Sequence, residues 1–250
     1  MKKTFAIGVI FLLTYLGFLI ATLPTTVVLN QVSLPKNIAL SGVSGTVWHT
    51  QITQLNIEKT HINKVDAQLS FWSLFTLTPT MSVTFGDSFS TGPEGSLELA
   101  LSTSKATLND VTILMSANEI AQQLPLPLPV TAKGDVEITI AQAAIDLQNT
   151  NQCLSAKGQA TWSKASVVAL ERNIALGQLT GDITCENGAP AFIIAKQNNL
   201  GLTFNAYVNK RGKVTGNGHL KPGANFPKAL KDALPFLGKK DRQGRYRLNF

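Results

Sequence analysis

Hydrophobic and polar positions divide the chain into two unequal parts. From Thr4 to Leu23 it reads TFAIGVIFLLTYLGFLIATL, without a single charge. Twenty helical residues span about 30 Å, the thickness of a bilayer core. No polar face interrupts the run, which argues against an amphipathic core helix. Pro24 ends it. Lys2 and Lys3 precede it, so the positive-inside rule keeps the N-terminus cytoplasmic and sends the rest across. A cleaved signal sequence is the alternative. Its apolar stretch is usually shorter and ends in a small-x-small site, whereas this one ends ATLPTT. The uncleaved anchor is favoured, and no second run of this length follows.

The remainder alternates with period two, the mark of half-buried strands. Val65, Ala67, Leu69 and Phe71 alternate with polar residues, as do Met81, Val83 and Phe85. The pattern recurs at Leu97, Leu99 and Leu101, and at Val136, Ile138 and Ile140. Ala191, Ile193 and Ala195 repeat it, then Leu202, Phe204, Ala206 and Val208, and finally Tyr246, Leu248 and Phe250. Asn187-Gly188 and Asn209-Lys210-Arg211-Gly212 suit hairpin loops. Short connections between consecutive strands favour an antiparallel meander over βαβ units. Two short helices are predicted. Ser116 and Glu119 have capping-box spacing ahead of Ile120 and Leu124, and Pro125, Pro127 and Pro129 end that helix. Pro227 suits the first turn of the other, which runs to Leu234 with an apolar stripe of Ala229, Leu230, Ala233 and Leu234.

The predicted class is therefore all-β, an antiparallel meander of twisted sheets with one or two short helices, behind one transmembrane helix. Residues 1–3 form a cytoplasmic tip, 4–23 the anchor and 24–250 a β-rich body beyond the membrane. LSGVSGTVW and LSAKGQATW echo each other, each ending in tryptophan eight residues after Leu-Ser's serine-bearing pair begins. Two β modules with a seam near 124–130 would explain the echo, and chance explains it equally well.

Composition changes this picture in two places. The chain has only two cysteines, Cys153 and Cys185. An exported body meets an oxidising compartment, where an even pair favours a disulfide over two buried thiols. Such a bridge needs Cα atoms about 4.4–6.8 Å apart. The charge is also lopsided. Residues 209–250 hold 11 Lys/Arg against 2 Asp/Glu, a net of +9, so the first 208 residues carry −2 of the total +7. Lys210, Arg211, Lys213, Lys239, Lys240, Arg242, Arg245 and Arg247 are the candidate partner-binding surface, steering toward an acidic partner or anionic head groups. A solvated edge that deters strand pairing is the plainer reading. Nucleic acid does not suit a body behind a membrane anchor, and stacking aromatics are absent from this segment.

Catalytic constellations are not apparent. Ser44 in GVSG lacks the full G-x-S-x-G elbow, and His49 beside Trp48 reads as a surface or packing residue. Gly42 and Gly45 suit a bend and lack the Lys-Ser/Thr of a phosphate loop. Glu94, Glu98, Asp135 and Glu137 could form an acid/base pair, but the alternation puts Glu98 and Glu137 on a solvated face. Three histidines spread from 49 to 219 give no metal-ligand spacing. No cofactor, metal or catalytic residue is expected.

Several segments, in order, resemble the type II secretion system protein N family. They are LSGVSGTVW at 40–48, LPLPLPVTAKGDVEI at 124–138, GQATWSKASV at 158–167 and LGQLTGDITC at 176–185. GLTFNAYVNKRGKVTGNGHLKP, FPKALKDALPFLG and GRYRLNF follow to the C-terminus. The resemblance implies a non-enzymatic inner-membrane accessory of a Gram-negative secretion machine that moves folded proteins from periplasm across the outer membrane. It implies other inner-membrane components of that machine as partners, and offers no residue-level site. A periplasmic lipid-binding or lipid-transfer scaffold is the alternative, because long sheets behind an anchor can form an apolar trough for a lipid ligand.

Overall fold

A computed structural model describes residues 2–31, 34–35, 37–58, 60–87, 91–123, 131–148, 152–169, 172–195, 197–209 and 213–249. Helices α1 (Lys2–Ala21) and α2 (Thr25–Leu29) lead into β1 (Ile38–Thr46), β2 (His49–Ile57) and β3 (Thr60–Leu69). A 3-10 turn, Trp72–Thr76, connects to β4 (Thr80–Phe85), β5 (Glu94–Leu101) and β6 (Lys105–Ser116). Then come α3 (Ala117–Gln123), β7 (Thr131–Asp146), β8 (Gln152–Ala169), β9 (Arg172–Glu186) and β10 (Ala189–Ile194). β11 (Leu202–Val208), β12 (Val214–Leu220), a 3-10 helix at Lys228–Leu237 and β13 (Tyr246–Asn249) complete the chain.

The 13 strands of the described residues form one sheet, each hydrogen-bonded to its neighbours in sequence. Every pairing is antiparallel, so the predicted meander is what forms. Directly opposed residues share a face, and following them across the sheet separates two chemistries. One row runs Val111, Ile140, Gly158, Ile183, Phe192, Ala206, Gly216 from β6 to β12. The row beside it, on the other face, runs Thr112, Thr139, Gln159, Asp182, Ile193, Asn205, Asn217, Asn249. In β3–β5 the apolar face continues through Ala67, Val83 and Leu97, against Gln68, Ser82 and Glu98. Alternation in the sequence thus becomes an amphipathic sheet one layer thick.

Turn chemistry sets the hairpins. Asn187 and Gly188 both adopt positive φ, 51° and 76°, which is the two-residue turn that matches strand twist. At the next even-numbered hairpin, Asn209 N–H donates to the Lys213 carbonyl and Asn209 Oδ1 accepts from Lys213 N–H. Register shifts in β5–β6, β7–β8 and β8–β9 bend the sheet.

Cover for the apolar face is concentrated at the C-terminal end. Ala165, Ile174, Leu176, Leu200, Leu220, Phe226 and Tyr246 form the main cluster, with Leu230 and Leu234 of the Lys228–Leu237 helix packed on it. Among the described residues no large side chain is fully buried. The chain exposes 16834 Å², whereas a compact monomer of 26.8 kDa exposes about 10,800 Å². The projecting α1 supplies part of the excess, and the single-layer sheet supplies the rest.

Three local expectations change. Phe71 lies beyond the end of β3, where the backbone turns into the 3-10 segment. In β10 the apolar face carries Phe192 and Ile194, while Ala191 and Ile193 share the polar face with Thr184 and Asp182. That strand is apolar on both sides, so period two cannot choose a face. The second helix is 3-10, spans Lys228–Leu237 and contains Pro235, which has no N–H to give an α-helical ladder. Near the first predicted helix, Asn118 N–H donates to Ser116 Oγ at 3.3 Å. The 124–130 seam lies outside the described residues, and β6 and β7 pair with each other on its two sides.

Among the described residues no helix is long and apolar enough to cross a membrane. The side chains of α1 are described from Phe5 onward.

Candidate interaction site

Cys153 near the start of β8 and Cys185 near the end of β9 form a disulfide, with Cα atoms 5.7 Å apart. The separation falls in the predicted window. Cys153 N–H also donates to the Gly188 carbonyl at 2.9 Å. The bridge closes the open end of the β8–β9 hairpin, beside the Asn187-Gly188 turn.

The basic residues do not gather at one place. Antiparallel topology puts Lys213, in the β11–β12 connection, at one end of β12. Lys239, Lys240, Arg242 and Arg245 lie in the β12–β13 connection at its other end, about 20 Å away along a seven-residue strand. Arg247 sits on β13 opposite His219, on the polar face. Lys210 and Arg211 lie outside the described residues. Arg245 is already engaged, with its Nε donating to Asp241 Oδ2 at 2.8 Å. Asp241 also accepts from the backbone N–H groups of Gln243 and Arg245. The Arg245 backbone bond leads in drawing the Asp241 carboxyl down to about 2. Lys240 Nζ stands 5.5 Å from the centre of the Tyr246 ring, a cation–π contact. Lys239 and Arg242 are exposed.

The titratable groups with displaced pKa values do not converge on a cleft. Asp66 on β3 is held below the usual carboxylate range first by its hydrogen bond with His49, Nε2 to Oδ2 2.7 Å. Tyr207 on β11 is raised because its hydroxyl donates to Glu186 Oε2 at 2.8 Å. Asp241 belongs to the β12–β13 connection. Each has a structural partner on its own part of the sheet. Ser44 stands opposite Gln51, and Asp66 is the carboxylate that His49 meets. Glu98 and Glu137 lie on the polar face, opposite Ser82 and Thr161. Among the described residues no group of His, Cys, Asp and Glu could hold a metal ion.

An aromatic cluster escaped the sequence reading. Trp48, in the β1–β2 turn, meets Phe71 edge-on at 5.3 Å. Phe71 contacts Trp72 and Phe75 at 5.7 and 5.4 Å. Trp48 Nε1 donates to the carbonyl of Ile20 in the last turn of α1 at 2.9 Å, an acceptor whose backbone bond, from Leu23 N–H, is long at 3.4 Å. Leu23 accepts from Val47 N–H, and Pro24 bridges to Thr46. An apolar cleft of about 540 Å³ lies between Gly17, Ile20 and Ala21 of α1 and Trp48, Leu69 and Phe71. The run FWSLF carried the signal, but Phe71 was absorbed into the alternation of β3.

Comparison with known proteins relates the sequence to one family. A family model described as Type II secretion system (T2SS), protein N, matches residues 36–249. Type II secretion system protein N of Aeromonas hydrophila is 30% identical, with 100% of this chain and 98% of that protein covered. The protein of the same name from Vibrio cholerae is 26% identical over 100% of this chain and 98% of its own length. That of Klebsiella pneumoniae is 26% identical over 98% and 94%. No solved structure matches. The chain belongs to the type II secretion system protein N family.

Proposed function

We propose that the chain is a non-enzymatic accessory component of the type II secretion system in a Gram-negative envelope. A single span over residues 4–23 holds it in the inner membrane, with Lys2 and Lys3 cytoplasmic and residues 24–250 periplasmic. It works by contact with other inner-membrane components of the machine, supporting export of folded proteins across the outer membrane. Family membership supports the machine. The observation that carries the mode of action is the single-layer amphipathic sheet, whose apolar face is left largely without a covering element among the described residues. Such a surface is built to bind along its length. The anchor rests on the uncharged Thr4–Leu23 run and on α1, whose apolar side chains are exposed from Phe5 to Ile20.

Lys239, Lys240, Arg242 and Arg247 at the β13 end are the steering charges within this reading, acting over roughly 8–10 Å at physiological salt. Lys213 lies at the other end of β12, and Arg245 is partly neutralised by Asp241. Reversing Lys239, Lys240 and Arg242 to glutamate is expected to lower co-purification with secretion-system membrane proteins. Unchanged recovery and unchanged export would remove the basic surface from the account.

The uncovered apolar face also favours a second reading, a lipid-binding scaffold. Mass spectrometry of chain extracted in mild detergent separates the two. Stoichiometric phospholipid retained on the sheet supports the lipid scaffold, and its absence supports protein contact.

A further inference from the structure

We propose that the connection Phe71–Leu77 is a second membrane contact, an aromatic tab lying at head-group level in the leaflet from which α1 emerges. The proposal rests on the anchor reading above and adds a surface to it.

Four observations converge on a bilayer as the occupant. The first is exposure. Trp72, Phe75 and Leu77 leave 77%, 70% and 82% of their surface open, far beyond the half-buried side chains of the sheet. Exposed apolar groups of this size gathered in one connection mark an interaction site. The second is charge. No ionisable residue stands between Asp66 and Asp87, so nothing in the tab resists a low-dielectric surface.

The third is polar satisfaction. Ser73 Oγ donates to the Ser70 carbonyl at 2.6 Å and accepts from Thr80 N–H at 2.8 Å. Thr76 Oγ1 donates to the Ser73 carbonyl at 2.8 Å, and Leu77 N–H donates to the Leu74 carbonyl. The tab's hydroxyls are turned back on its own backbone, which lowers the cost of moving it from bulk water into the interface.

The fourth is position. Trp48 links the tab to the end of α1, by its ring against Phe71 and its indole N–H on Ile20. Wherever α1 leaves the hydrocarbon, the tab lies beside it. Tryptophan is enriched at that depth, and Trp, Phe and Leu make up the inserted face of segments that lie in the interface. A helix alone leaves the sheet free to swivel, and a second contact beside it fixes how the sheet stands on the membrane.

The test uses the full chain in vesicles of phosphatidylethanolamine and phosphatidylglycerol. These contain lipid brominated either near the glycerol or near the chain end. Trp48→Phe with Trp162→Phe leaves Trp72 as sole reporter. The expected result is flotation with the vesicles and stronger quenching of Trp72 by shallow than by deep bromine. Flotation with unquenched Trp72 would overturn the tab and leave the anchor intact, pointing to a protein or a second copy as its cover. Failure to float would overturn the anchor, and the tab with it. Both replaced indoles make hydrogen bonds. If that double variant does not fold, Trp72→Phe in the native chain must remove part of the shallow-quenched emission, and unchanged quenching refutes the proposal.

Discussion

Reducing the Cys153–Cys185 disulfide should cost the folded chain about 3–4 kcal/mol. The two residues are 32 apart in sequence, and the chain-entropy relation for a loop of that length gives about 3.7 kcal/mol at 25 °C. Cys153 is buried, and its neighbourhood is already paired through Gly188, so the native state has little to relax when the bond breaks. The unfolded state gains nearly all of the freedom. For a domain of this size each kcal/mol moves the melting temperature by about 2–4 °C, which predicts a fall of about 7–15 °C. The assay is thermal unfolding of the full chain in detergent, oxidised against reduced, followed by near-ultraviolet circular dichroism. Cys153→Ser and Cys185→Ser should each reproduce the reduced value, and reductant should not shift them further. A fall below about 2 °C would show that β8 and β9 hold the hairpin shut in the unfolded ensemble too, and the loop argument would fail.

Three further outcomes follow from local geometry. Gly218→Ala should destabilise by about 1–3 kcal/mol in urea unfolding, because its Cβ would run into the Thr203 carbonyl oxygen and the Phe204 ring; a neutral result would mean that β11 and β12 are not in this register. Asp241 has a folded pKa lowered to about 2, so its stabilisation is present above the ordinary value near 3.9 and is lost as pH falls toward 2. Exchange protection of the Gln243 and Arg245 amides should fade across that window, and Asp241→Asn should largely remove the pH dependence. Tyr207 keeps its proton longer than an unpartnered tyrosine because its hydroxyl donates a hydrogen bond to the Glu186 carboxylate, so its ultraviolet titration should lie at the alkaline end. Glu186→Gln should bring it back, and no change would dismiss the pairing.

Strand order and face were legible wherever only one face is apolar. Val136, Ile138 and Ile140 fixed β7, because a one-residue slip would expose all three. β10 was ambiguous, since Phe192 and Ile193 are apolar neighbours on opposite faces. The Asn187-Gly188 turn was legible because both positions demand positive φ. Phe71 was not, because alternation continued by chance past Leu69, where Ser70 N–H turns to pair with Thr80. The charge count was correct and its placement was not legible. A net charge says nothing of which end of a strand a loop occupies, and strand β12 parts Lys213 from Lys239. The tab was hidden for a related reason: its meaning depends on Trp48 and Ile20, distant in sequence and joined only in the fold.

The central claim is that this sheet acts by contact within the secretion machinery. Photo-cross-linking in intact cells tests it most directly, with a benzophenone side chain placed singly at Leu97 and Ile138 on the apolar face and at Lys239 beside β13. Adducts with other secretion-system membrane proteins, from at least one of these positions, are the predicted result. Adducts with phospholipid alone from Leu97 and Ile138, with no protein adduct from Lys239, would contradict it.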